Sequence, residues 1–174
     1  EFPNTKQEQL WEEIEKDNKF RKKFEKSLKE TLVVGDGAYK ISVDTELSQY
    51  PILEWYSGER IEIILNRGRL KEIVFKKAYM RGSQQYVLNE HYGYGYIIPQ
   101  LYKGETEVPL TALEETANMQ PVAFDKSIIL AVPLQIYESS QFEGRGGSIF
   151  DGKLDSFDAF DECWSQWMDA LRAG

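Results

Sequence analysis

Two hydrophobic patterns divide the chain. Over residues 5–32, apolar residues recur mostly four positions apart, which places them on one face and predicts one long amphipathic helix. Thr5 followed by Glu8 fits a capping box at the start of that helix. From residue 38 to 137 the period changes to two, in short runs separated by turns, which predicts strands. Helical spacing returns over 154–172 and predicts a second long helix.

The strand-rich region carries several local signals. Tyr39, Ile41 and Val43 alternate with polar residues, which predicts a strand with one buried face. Residues 111–118 are expected to form a short helix with Thr111 as its cap. The apolar run 128–137 contains Pro133, which predicts either a strand at the edge of a sheet or the end of a strand. A polar, glycine-rich loop over 138–153 then leads to the last helix.

The order of these elements, a helix followed by many strands and another helix, predicts the α+β class. We expect one twisted antiparallel sheet meander with the two long helices packed against it. The 174 residues fit a single domain. The chain starts without Met, and we expect both ends to be cut from a longer protein, with Glu1 and Phe2 either native or left by cloning.

Composition narrows the possible functions. The formal net charge of −8 disfavours tight nucleic-acid binding, because that affinity comes from neutralising phosphates. The single cysteine excludes an internal disulfide. The sequence has neither a membrane-spanning apolar run nor a signal-peptide pattern. The first helix nevertheless has a basic cluster, interpreted either as a contact for phosphate or an acidic partner or as a solvated face: Arg21, Lys22, Lys23, Lys26 and Lys29.

Residues that carry chemistry are scarce. His91 is the only histidine and is expected to be a surface or hydrogen-bonded strand residue rather than part of a catalytic triad. Cys163 has acidic and apolar neighbours, so we expect it to be buried and inert. One histidine and one cysteine do not make a structural zinc site. The sequence therefore predicts no catalytic residue, no cofactor and no metal.

Two weaker patterns keep other functions open. Acidic residues between Asp155 and Glu162 would serve a hydrolase only if two carboxylates converge in a cleft; the alternative is interaction with the positive end of the helix dipole. Tyr92, Tyr94 and Tyr96 suggest a carbohydrate- or peptide-binding module, or else alternating core tyrosines.

Four segments in this order resemble the portal proteins of tailed phages and prophages of Gram-positive bacteria. The last of them resembles the family most, through Gly-x-Ser-x-Phe leading into a helix with Asp-Glu, Ser-Gln and a small-Leu-Arg ending. The segments are GDGAYKISVD (35–44), ILNRGRLKEIVF (64–75), YVLNEHYGYG (86–95) and GRGGSIFDGKLDSFDAFDECWSQWMDALRAG (144–174).

The resemblance implies a structural, non-enzymatic subunit of the ring through which DNA is packaged and ejected and at which head and tail connect. The chain would be the outer, wing-like part of a longer portal protein. The full protein would bind copies of itself, capsid or scaffolding proteins and the terminase motor, and it would lie in the virion and, before assembly, in the host cytoplasm. DNA would pass through the ring without being held tightly by this domain, and no membrane would be involved.

Ring subunits contact their neighbours through two different faces, and aromatic and arginine side chains often anchor such contacts. We therefore expect Arg145, Phe150, Trp164 and Trp167 at a subunit interface. The alternative for the two tryptophans is that they seal the last helix against the sheet.

Overall fold

A computed structural model describes residues 5–173 and confirms the α+β class, with helices at both ends and antiparallel strands between them. The described helices are α1 (Thr5–Asn18), α2 (Phe20–Val34) and α3 (Leu154–Ala173). The described strands are β1 (Asp36–Ser42), β2 (Ile52–Ser57), β3 (Ile61–Asn66), β4 (Arg69–Arg81), β5 (Gln84–Gly93), β6 (Tyr96–Lys103), β7 (Thr106–Val108), β8 (Val122–Ala123) and β9 (Ala131–Gln135).

The prediction of one helix over 5–32 is wrong, because the helix breaks at Lys19. That residue has φ 51 and lies in the left-handed region. The side chain of buried Asn18 stabilises the break: its Nδ2 donates to the carbonyls of Ile14 (3.0 Å) and Pro51 (2.8 Å), and its Oδ1 accepts from the N–H of Leu53 (2.7 Å). These bonds join the end of α1 to the start of strand β2.

The nine strands form two sheets rather than the single predicted sheet. The first has the order β2-β1-β9, and the second has the order β3-β4-β5-β6-β7, with β8 also paired to β6. The chain leaves the first sheet after Ser57 and reaches the second through a 3₁₀ turn at Gly58–Arg60. A side chain at position 58 would lie 2.0 Å from a carboxylate oxygen of Asp36, so the crossing requires glycine.

Strand β9 is the outer strand of the first sheet, as the position of Pro133 predicted. It pairs antiparallel with β1, with Pro133 opposite Ala38. The N–H of Ile41 donates to the carbonyl of Leu130 at 2.9 Å. Along an antiparallel strand, residues whose backbone groups point towards the neighbouring strand alternate with residues whose backbone groups point away. Leu130 points towards β1, so Pro133, three residues further on, has its backbone nitrogen pointing away from β1.

The main core lies between the two sheets. Phe75 is fully buried, and its ring contacts Tyr56 and Tyr92 with centroid distances of 5.1 and 5.2 Å. A second cluster of Leu88, Leu101 and Leu113 lies under the far half of the larger sheet. The helix predicted over 111–118 is absent from the described structure, which has a 3₁₀ turn at Leu110–Ala112 followed by turns.

Helix α2 covers the other face of the first sheet, against β1 and β2. Ser27 and Thr31 of α2 are fully buried against it, and the hydroxyl of Tyr39 donates to Ser27 Oγ at 2.8 Å. Strand β1 is therefore buried on both faces, with Tyr39 towards the helix and Lys40 towards the second sheet. The predicted half-buried strand is wrong for this reason.

Candidate interaction surface

An ion pair inside the fold fixes the loop over 138–153. Arg145 Nε and Nη2 donate to the two carboxylate oxygens of Asp36 at 2.5 and 2.8 Å, and Nη2 also donates to the carbonyl of Gly58 at 2.9 Å. The N–H of Gly146 donates to the same carboxylate at 2.9 Å. Asp36 is only 2% exposed. Arg145, predicted at a subunit interface, thus has its guanidinium bonded within its own chain.

The loop passes so close to the start of β1 that only glycine fits. A side chain on Gly146 would lie 2.1 Å from the carbonyl oxygen of Gly35. Further on, the N–H of Ile149 donates to the carbonyl of Leu32 at the end of α2, at 3.0 Å. These contacts fix where the chain leaves the body of the molecule and enters α3.

Helix α3 presents an exposed hydrophobic side, which we call the aromatic face. Its rings contact one another: the centroids of Phe160 and Trp164 are 6.3 Å apart, and those of Trp164 and Trp167 are 5.1 Å apart. At the start of the helix, Phe150 contacts Phe157 with a centroid distance of 5.7 Å. The face consists of Phe150, Phe157, Phe160, Trp164, Trp167 and Leu171, all of which are exposed.

The expected packing of this helix against the sheet is not found. Trp164 and Trp167 are 51% and 52% exposed, so they do not seal the helix on the strands. Cys163 is exposed as well, and the prediction that it is buried is wrong. Isolated apolar side chains on a surface are ordinary, but a contiguous exposed aromatic row is a candidate interaction surface. Phe150, Trp164 and Trp167 belong to that row.

The rest of α3 is strongly acidic. It carries five acidic side chains, Asp155, Asp158, Asp161, Glu162 and Asp169, against the single basic residue Arg172. At 3.6 residues per turn, the acidic residues lie together on one flank of the helix, which runs from the edge of the aromatic face at Asp161 round to the back of the helix. All five are exposed, so they do not form the closed carboxylate cleft that the hydrolase hypothesis requires.

The three tyrosines proposed for ligand stacking do not share a surface. Tyr92 is buried in the core beside Phe75, and Tyr94 is exposed in the turn between β5 and β6. Tyr96 is half-buried, and its hydroxyl donates to Glu72 at 2.6 Å. Burial and the hydrogen bond to Glu72 raise the pKa of Tyr96 to about 12. A stacking platform needs several exposed rings, and only Tyr94 provides one here.

Sequence reasoning missed a buried charged cluster at the centre of the molecule. Lys40 Nζ lies 2.8 Å from Glu90 and 3.2 Å from Glu54, and also lies over the rings of Tyr56 and Tyr92. Burial lowers the pKa of Lys40, but Glu90, Tyr92 and Glu54 together outweigh burial, and the pKa is raised. In β1, Lys40 lies between the apolar residues Tyr39 and Ile41. Only a prediction that both faces of this strand are buried could have revealed the ion pair of Lys40 with Glu90. The cluster connects the two sheets.

The remaining candidates for chemistry are isolated. His91 lies on β5 with its Nδ1 3.7 Å from Glu72. Within residues 5–173, no three His, Cys, Asp or Glu side chains come together as metal ligands. No helix in this part of the chain is both long and apolar enough to cross a membrane. The most distinctive surface described is the aromatic face of α3.

No protein-family model matches the chain, and no curated protein is significantly similar to it.

Proposed function

We propose that the chain is a structural domain of the portal ring of a tailed bacteriophage, forming the outer, wing-like part of each subunit. One observation carries the proposal: the segment that resembles portal proteins most, residues 144–174, is the one that presents the exposed aromatic face. Its glycines and Arg145 fix the loop, and its aromatic side chains are left for a partner. Such an arrangement suits a protein that assembles.

The charge of the chain agrees with a position away from DNA. With a net charge of −8, the domain repels phosphates rather than binding them. In the proposed ring, DNA passes through a channel built by other parts of the subunit, and a separate terminase provides the energy for packaging. Capsid or scaffolding proteins bind the outer surface. The ring belongs to the virion and assembles in the host cytoplasm.

Sedimentation velocity and electron microscopy of the protein expressed from its complete gene test this proposal. We expect closed rings. Trp164→Ala should weaken ring formation by about 2 kcal/mol, roughly thirtyfold, because central tryptophans dominate interfaces. Gln166→Ala on the opposite side of α3 is the matched control and should leave assembly unchanged. A full-length protein that stays monomeric at high concentration would rule out the portal function.

A further inference from the structure

A second apolar surface lies on the body of the molecule, between the N-terminal helices and the outer edge of the first sheet. It is a groove of about 280 Å³, with Phe20 and Phe24 of α2 on one side and Val132 and Leu134 of β9 on the other. Phe24 and Val132 are 38% and 54% exposed. Helix α3 of the same chain has no extensive contact with either element in the described structure. The groove is large enough to receive aromatic side chains.

The helix that forms one side of the groove has a net charge opposite to that of α3. Helix α2 carries five basic side chains, Arg21, Lys22, Lys23, Lys26 and Lys29, against two acidic ones, Glu25 and Glu30. Helix α3 carries five acidic side chains against one basic. Two copies of α3 would therefore repel each other, whereas α3 and α2 attract.

Helix α1 borders the groove through Trp11 but does not share this attraction. It carries five acidic side chains, Glu8, Glu12, Glu13, Glu15 and Asp17, against Lys6 and Lys16. An acidic helix that docked along α1 would meet like charge. The charge pattern thus selects α2 and the edge of β9 as the binding surface.

We infer that the aromatic face of α3 docks into the α2–β9 groove of a second copy of this chain, with its acidic flank along the basic side of α2. This inference rests on the proposed self-assembly and assigns the two surfaces that carry it. Each copy offers one helix and one groove, so the contact joins subunits head to tail. A head-to-tail contact builds rings when the rotation closes.

Cross-linking through Cys163, the one cysteine in these 174 residues, tests the contact. Cys163 is exposed on α3, and Val132→Cys places a second thiol at the groove. Full-length protein with this change, treated with a short bis-maleimide, should give a ladder of covalent oligomers on a denaturing gel. Thr106→Cys, on β7 of the other sheet, is the matched control and should give no ladder. Removing the natural thiol by Cys163→Ser should abolish the ladder.

Charge reversal provides a second measurement that does not depend on cross-linker reach. Asp158→Lys with Asp161→Lys on α3 should weaken association about tenfold, and Lys22→Glu with Lys26→Glu on α2 should do the same. All four side chains are exposed, and the ion pair that is lost, Lys26 with Glu30 at 3.5 Å, is a surface pair that contributes little, so the fold should tolerate the changes. Combining both sets in one chain should restore assembly.

The outcomes separate this inference from the portal function. Rings that form without a ladder of covalent oligomers would overturn the inference but not the proposed portal function. Cross-links confined to Cys163–Cys163 dimers would do the same. A ladder and charge rescue without closed rings would support the contact and overturn the portal function. The contact would also be contradicted if the variant that combines the α3 and α2 substitutions associated no more strongly than either double variant alone.

Discussion

Replacing Arg145 by methionine should destabilise the isolated chain. Methionine keeps most of the apolar stem and removes the guanidinium, so the change isolates the charge and its hydrogen bonds. Asp36 is 2% exposed and would be left with one remaining donor, the N–H of Gly146 at 2.9 Å. A buried carboxylate without its cation is costly because water cannot replace the lost partner.

The expected magnitude follows from the geometry. Removing one member of a buried ion pair typically costs about 3–5 kcal/mol. The side chain of Arg145 is 33% exposed, so water partly compensates at its outer end. We therefore expect a loss of about 3 kcal/mol in the free energy of unfolding. Arg145→Lys keeps the charge but loses the two-pronged geometry, and should cost about half as much.

Urea denaturation followed by far-ultraviolet circular dichroism and by tryptophan fluorescence measures the loss. Arg172→Met, at an exposed ion pair on α3, is the matched control and should change stability by less than about 0.5 kcal/mol. In a double-mutant cycle with Asp36→Asn, the two changes should be clearly non-additive. A cost below about 1 kcal/mol for Arg145→Met would refute the structural role, and a defect confined to assembly would return Arg145 to the interface.

Two further outcomes concern buried polar groups. Lys40→Met should lower stability by about 3 kcal/mol in the same denaturation assay, because it leaves the buried carboxylate of Glu90 without its cation. Lys40→Met with Glu90→Gln should recover part of the loss, and additive costs of the two changes would contradict this reasoning. Because the pKa of Tyr96 is raised in the fold, its stabilising contribution is complete below pH 10 and lost as pH rises towards about 12. Ultraviolet absorbance titrations of the protein and of Tyr96→Phe should differ by one phenol that ionises near pH 12. Identical titration curves would refute the raised pKa.

Local patterns in the sequence predicted the element types well and their assembly less well. The helical spacing of α2 and α3 and the edge position of Pro133 could be read directly. The sequence does carry a signal for the break at Lys19. Ile14 and Phe20 are six residues apart, which would place them on different sides of a continuous helix. The buried amide of Asn18 explains the break, but two of its partners, Leu53 in β2 and Pro51 just before that strand, are distant in sequence.

The division into two sheets had no comparable signal. Strand β9 pairs with β1 although about ninety residues separate them, and nothing in either segment identifies the other. The same gap hid the partner of Arg145, because Asp36 lies 109 positions away. Periodicity also indicates only that α3 is amphipathic, not which molecule covers its hydrophobic side. Cys163 was predicted to be buried for that reason.

The proline in the outer strand limits how copies of this protein can associate. The backbone nitrogen of Pro133 faces outward and carries no hydrogen, so an incoming strand finds a missing donor at the centre of the edge. A strand from another copy therefore cannot pair regularly along this edge, which disfavours fibril-like extension of the sheet there. At this edge, contacts between copies in the proposed ring therefore rely on side chains rather than on a shared sheet.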